Sequence, residues 1–238
     1  MNEQESSHWW FRARRDIIRK TIQKLVRLPE SANILEAGCG TGGNLLMLRE
    51  LGELDAFEYD SSARHIAEEK SGMAIPAGEL PDKLPHGAKK YDLIGLFDVL
   101  EHIENDRATL SKLGDRLADG GKIFVTVPAL PWLWSQHDEH HHHYRRYTRA
   151  SLQKTADEAG LRLQHSFYAN FFLLPVAIGL RAMKKLLKSA APDDTLPPSW
   201  LNRVLYRVFS TEQHFVGRIG MPVGLSVFAV LEKPELSR

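Results

Sequence analysis

Glycines alternate through Ile34-Leu35-Glu36-Ala37-Gly38-Cys39-Gly40-Thr41-Gly42-Gly43-Asn44, directly after an apolar run and before a helical stretch. At such a turn the backbone must bend sharply and let a ligand come close, an approach that side chains would block. The spacing Gly38-x-Gly40-x-Gly42 differs from the longer-spaced glycine fingerprint whose helix N-terminus holds a pyrophosphate. It therefore argues against a nicotinamide oxidoreductase or a nucleotide-sugar enzyme. One helix later comes Ala56-Phe57-Glu58-Tyr59-Asp60, where a carboxylate can accept hydrogen bonds from a pair of ribose hydroxyls. Glu58 is the better placed of the two acids, because Asp60 falls where a helix N-cap belongs.

A second group of polar side chains ends the run Tyr91-Asp92-Leu93-Ile94-Gly95-Leu96-Phe97-Asp98-Val99-Leu100-Glu101-His102. His102, with an unperturbed pKa near ~6.5, is a candidate general base, and Asp98 is placed to orient a ligand or its own loop. A third group is Trp132-Leu133-Trp134-Ser135-Gln136-His137-Asp138-Glu139-His140-His141-His142-His143-Tyr144-Arg145-Arg146-Tyr147. Its tryptophans, histidines and arginines suit a polar or anionic head group beside an apolar body. The candidates are Trp132, Trp134, Asp138, Arg145, Arg146 and Tyr147 for binding, with His137 and His143 for catalysis. The competing reading is a loop whose arginines pair with acids of the protein itself. In an extended loop only alternate histidines converge, and no cysteine pair accompanies them, so no metal site is expected.

The elements that must position these groups alternate. Apolar residues recur at helical spacing over residues 14–26 and 44–51, and helices are expected at 62–70, 106–117 and 148–159. Strands are expected at 33–37, 54–58, 73–76, 91–97, 122–127, 161–168 and 225–231. This pattern predicts an α/β doubly wound, mostly parallel, seven-stranded sheet with its last strand antiparallel, and ligands at the carboxyl ends of the strands. One domain over 1–238 is expected, with residues 1–30 as a helical lid or packing element and 169–223 as a helical cap or insertion.

The chain has 238 residues, 31 basic against 30 acidic side chains and a single cysteine. A net charge of +1 gives no field that would gather nucleic acid, and one thiol forms neither an internal disulfide nor a paired-cysteine zinc site. The N-terminal residues lack the basic-then-apolar order of an export signal, which points to the cytoplasm. Nothing in the pattern sets an oligomeric state.

With these residues in view, the turn EAGCGTGG resembles the first motif of class I S-adenosylmethionine-dependent methyltransferases. The Leu100-Glu101-His102 strand end and the following Gly120-Gly121-Lys122-Ile123 are similar to small-molecule methyltransferases of the type that includes ubiquinone-biosynthesis enzymes. The resemblance implies S-adenosyl-L-methionine as cofactor. It places Glu36 near the methionine ammonium and the backbone of Gly38, Cys39, Gly40, Gly42 and Asn44 along ribose and methionine. Glu58 and Tyr59 fall at the ribose and Glu79 or the Leu80 backbone at the adenine; Phe97 and Asp98 are further cofactor-binding candidates, with Asp98 open between the methionine end, the acceptor and its own loop. A narrower resemblance, to a bacterial methyltransferase subgroup, rests on Trp9-Trp10-Phe11-x-x-Arg14, on Pro131-x-Leu133-Trp134-Ser135-x-His137-Asp138 and on His143-x-Arg145-Arg146-Tyr147. A noncatalytic sensor or assembly protein on the same fold stays open beside the enzyme.

Residues 171–188 are apolar and then basic, with Arg181, Lys184, Lys185 and Lys188 on one helical side. The apolar part is much shorter than the roughly 20 residues of a spanning helix. A cap packed on the core is expected, with peripheral membrane contact the alternative. A small-molecule or lipid-linked acceptor is the expected partner.

Overall fold

The computed structural model describes residues 7–175, 178–179, 197–216 and 220–234. The basic face expected within 171–188, and the side chain of His137, lie outside the described residues. Helix α1 is Trp9–Thr21, continued by a π-helical turn, Ile22–Val26. Then follow β1 (Asn33–Ala37), α2 (Leu45–Arg49), β2 (Glu53–Phe57), α3 (Ser61–Ser71), β3 (Tyr91–Phe97), α4 (Asp106–Gly114) and β4 (Leu117–Pro128). The second half carries α5 (Gln136–His140), α6 (Arg149–Glu158), β5 (Arg162–Ala169), α7 (Ser199–Ser210) and β6 (Ser226–Glu232).

The strands form one sheet in the order β2-β1-β3-β4-β6-β5. Strands β1 to β4 pair in parallel, and β6 runs antiparallel to both β4 and β5. Successive residues of a strand point to opposite faces, and both faces of the central strands are covered, so β1, β3, β6 and the second half of β4 read as largely apolar runs while the outer strands β2 and β5 carry polar residues. Leu35, Ile94 and Val125 pack on one side with Leu110 and Leu113 of α4 and Leu152 and Ala156 of α6. Ile34, Leu93 and Phe124 pack on the other with Ile17 and Ile18 of α1. Strand β1 has β2 on one side and β3 on the other, so the connections leaving β1 and β3 part there. The carboxyl ends of these two strands thus open a crevice.

Two helix starts follow local side-chain chemistry. Asp60 accepts from the Ala63 N–H at 2.7 Å, and Thr148 and Ser151 satisfy each other's backbone N–H groups in a reciprocal cap.

The sheet has six strands among the described residues, and the seventh expected at 73–76 is reduced to a bridge between Glu58 and Ala77. Pro76 has no N–H to give to a ladder, and the chain turns away at Gly78. The bridge keeps only Glu58 N–H to Pro76 O and Gly78 N–H to Glu58 O, both at 3.3 Å. Strand β4 begins five residues earlier than expected, at Leu117, and the helix before it stops at Gly114 rather than Leu117.

The described part of the expected cap, α7, packs on α1. Tyr206 donates to Asp16 at 2.7 Å, Asn202 accepts from the Trp9 N–H at 2.9 Å, and Trp10 stacks on Phe209 at 5.1 Å between ring centres. Trp200 and Val204 of the same helix face outward. Among the described residues no helix is long and apolar enough to cross a membrane.

Candidate active site

The crevice between β1 and β3 deepens into a cavity of about 780 Å³ under α1, a size typical of cofactor and small-ligand sites. One end is the glycine turn. Gly38, Gly40 and Gly42 all have positive φ, at 74°, 54° and 81°, a region that costs a side chain about 1–2 kcal/mol. A Cβ on Gly38 would stand 3.0 Å from both methyl carbons of Val99, so a side chain there would press the end of β3 away from the turn after β1.

Carboxylates frame this end. The Gly40 N–H donates to Glu58 Oε2 at 2.8 Å and the Asp60 N–H to Glu58 Oε1 at 2.9 Å, which fixes the carboxylate at the tip of β2. Glu36 is buried on β1 and accepts from the Asn44 amide at 2.9 Å. Cys39 is buried, and burial together with the charges of Glu36 and Glu58 holds its thiol up in the protonated form, so it is no nucleophile. Phe57, Gly78, Glu79 and Leu80 continue the wall, and Tyr59 stands at the mouth, largely exposed. Gly78 lies flat against Phe57, because a Cβ there would fall 2.4 Å from the ring. Glu79 is held by Lys83 at 2.5 Å.

The other end is formed by Phe97, Asp98, Val99, His102, Ile103, Glu104, His141 and Tyr144, with Trp10, Phe11, Arg14, Arg15 and Ile18 of α1 as a roof. The N-terminal helix thus covers the cavity with one part of its surface and packs on the sheet with another. Arg14 is buried, donates to Asp98 at 2.5 Å and to Ser226 at 3.2 Å, and spans from the roof to the end of β3. Asp98 takes φ 55°, in the left-handed region that Asp tolerates. Burial, followed by the neighbouring His143, pushes His102 down to about 4, so its imidazole is neutral at pH 7.

The histidine-rich segment is not extended. Pro131–Leu133 and Gln136–His140 are helical turns, and at the start of the second, Asp138 accepts from the Ser135 N–H at 2.9 Å. Asp138 is fully buried and also binds His143 Nδ1 at 3.0 Å and Arg146 Nε at 2.7 Å. Arg146 donates in addition to the Ala129 carbonyl at 3.0 Å. Tyr147 donates to Asp106 at 2.9 Å, and Arg145 bridges Asp106 and the Glu104 carbonyl at 2.8 and 2.7 Å.

Of the residues expected to bind acceptor, Asp138 and Arg146 therefore stitch the β4–α6 connection to itself, Arg145 and Tyr147 tie it to the start of α4, and none of the four lines the cavity. Trp132 and Trp134 also stay outside it, with Trp132 exposed and Trp134 donating to Glu139 at 3.4 Å. The cavity instead takes His141 and Tyr144 from this segment. The Tyr144 N–H ties this segment to the 3-10 turn after β3, donating to the Glu101 carbonyl at 2.7 Å. Neither His141 nor Tyr144 was among the candidates read from the sequence, because a run of histidines does not show which of its members the fold brings to the cavity. Behind His102, one ligand-type atom each of Glu101, His102 and His143 lies within 4.8 Å of the others.

The fold is of the doubly wound class, and a glycine turn and two carboxylates meet at the carboxyl ends of its parallel strands. A model of the methyltransferase domain family matches residues 10–166, and the chain belongs to that family. Its cofactor is S-adenosylmethionine. No curated relative matches by sequence. Among solved structures, an S-adenosylmethionine-dependent methyltransferase from Clostridium acetobutylicum shares the fold at TM-score 0.62 and 11% identity, over 93% of this chain and 91% of that one. One from Archaeoglobus fulgidus does so at TM-score 0.57 and 16% identity, over 97% of each chain. The [4+2]-cyclase SpnF shares it at TM-score 0.57 and 16% identity, over 92% of this chain and 81% of that one.

The residues present fit this cofactor. Two carboxylates are suited to accept from an ammonium group and ribose hydroxyls, and the bare glycine turn leaves room for them to approach, while a pyrophosphate would meet like charge from Glu36 and Glu58.

Proposed function

We propose that this chain transfers the methyl group of S-adenosylmethionine to a small-molecule or lipid-linked acceptor held between His102, His141 and Tyr144. The observation that carries the reading is one continuous cavity with the glycine and carboxylate cradle at one end and these three side chains at the other. Glu58, set by Gly40 N–H and Asp60 N–H, receives the ribose hydroxyls, and Glu36 the ammonium. Bound there, the cofactor supplies an electrophilic methyl carbon on a sulfonium.

Methyl displacement needs the acceptor atom in line at about 3 to 3.5 Å and water kept out. The roof of Trp10, Phe11 and Ile18 excludes water, and Arg14 ties that roof to the floor through Asp98. A neutral His102 accepts a hydrogen bond from an acceptor that must shed a proton. Apolar walls with imidazole and phenol groups at one end favour an acceptor with an apolar body and a polar reacting end.

The test is a screen of extracted bacterial metabolites and lipids for uptake of labelled methyl from S-adenosylmethionine. Transfer that His102→Ala slows at least tenfold supports the reading. Cofactor binding without transfer to any fraction would instead favour a noncatalytic cofactor-binding protein.

A further inference from the structure

We infer that Glu101, His102 and His143 form a binding site for a divalent first-row transition ion at the acceptor end of the cavity. Glu101 and His102 come from the 3-10 turn after β3, and His143 arrives from the segment after β4, 41 residues on from His102. One ligand-type atom of each lies within 4.8 Å of the others. Two imidazoles and one carboxylate are a donor set that zinc and ferrous ions take, with positions left open for water or substrate.

Three observations point to an ion beyond the cluster itself. Glu101 is 1% exposed, and its Oε2 has no hydrogen-bond partner among the described residues. A buried carboxylate oxygen left so is costly unless something binds it. His143 has its Nδ1 held at 3.0 Å by Asp138, which is itself held by Arg146 and Ser135. A carboxylate on one ring nitrogen is how metal-ligating histidines are oriented, with the other nitrogen aimed at the ion. The His102 and His143 rings meet edge to face at 4.6 Å between centres, so no side chain separates them. Ligand atoms around an ion at roughly 2.1 Å stand about 3.4 Å apart in a tetrahedron, so side-chain rotation of about 1 Å closes the triad.

His102 also lines the cavity, so an open position on the ion on that side faces the acceptor. An acceptor hydroxyl bound there would release its proton more easily. This second step rests on the methyltransferase reading, while the ion site does not.

The full chain, stripped with a chelator, is titrated with Co²⁺, followed by its visible spectrum, and with Zn²⁺ by competition. One ion per chain is expected, with affinity lowered at least tenfold in His102→Ala and roughly 10–100-fold in Asp138→Asn, the partner of a ligand. His140→Ala/His142→Ala should bind as the wild type does. Loss of binding in that double variant, unchanged affinity in His102→Ala, or less than one ion per chain in the wild type would overturn the site. Azide should shift the Co²⁺ spectrum if a position is open, and no shift would overturn the acceptor step. Calorimetry with S-adenosylmethionine on the same samples separates the two ideas. Cofactor binding without an ion defeats the site alone, and an ion without cofactor binding defeats the methyltransferase reading alone.

Discussion

Arg14 of α1 and Asp98 at the end of β3 stand 2.5 Å apart, although 84 residues separate them in the chain. The guanidinium is buried and stacks within 5.1 Å of the Phe228 ring centre, so the pair fastens the roof to the sheet. Arg14→Met keeps most of the side chain's length and loses the charged hydrogen bond. It should lower unfolding stability by about 2 kcal/mol and weaken S-adenosylmethionine binding, because the roof loses its anchor. Denaturant unfolding and calorimetry on the same variant check both effects.

Glu58 is placed by two backbone N–H groups and faces the cavity. Losing a charged acceptor for two ribose hydroxyls costs about 1.5–3 kcal/mol, which is roughly a 10–150-fold loss of affinity. Glu58→Ala should show that loss for both S-adenosylmethionine and its demethylated product by calorimetry, with the unfolding midpoint little changed. Equal affinity in variant and wild type would remove Glu58 from the ribose.

Tyr147 and Asp106 test whether the segment after β4 is scaffold or acceptor site. Their hydrogen bond at 2.9 Å is buried, and Tyr147 does not reach the cavity. Tyr147→Phe should destabilise the fold by about 1–2 kcal/mol and leave the acceptor KM as it was. A raised KM at unchanged stability would return Tyr147 to the acceptor.

Glu212 governs the start of the segment after β5, accepting from the N–H groups of Asn170 and Phe172 at 2.5 and 3.1 Å. Burial pushes its carboxyl above the usual value in spite of these bonds. A group whose pKa is raised on folding contributes stability that is fully present below its unfolded value, about 4.3, and lost as pH rises through the folded one. Stability of the wild type should therefore carry a falling component over that window. Glu212→Gln, whose amide oxygen still accepts, should lack it when unfolding is followed across pH.

Much of the sheet was legible because its signals are local. Both-face burial makes β1, β3 and β4 apolar runs, the glycines mark the turn after β1, and Asp60 announces α3 as its N-cap. The position of Glu58 in the cavity wall was legible for the same reason, since it lies two residues before that cap. The strand at 73–76 was misread since an apolar stretch with a proline carries strand composition without ladder capacity. The roles of the second half were harder to read. Whether Arg146 meets a ligand or Asp138 depends on a turn nucleated at Ser135, and the Arg14–Asp98 and Glu101–His143 encounters depend on how distant elements pack. Neither leaves a periodic trace.

The assignment of the cavity is tested most directly by calorimetry of the full chain with S-adenosylmethionine, its demethylated product and NAD. Binding of the first two at one site per chain, weakened by Glu58→Ala, with no heat from NAD, is the expected result. Tight binding of NAD alone would contradict it.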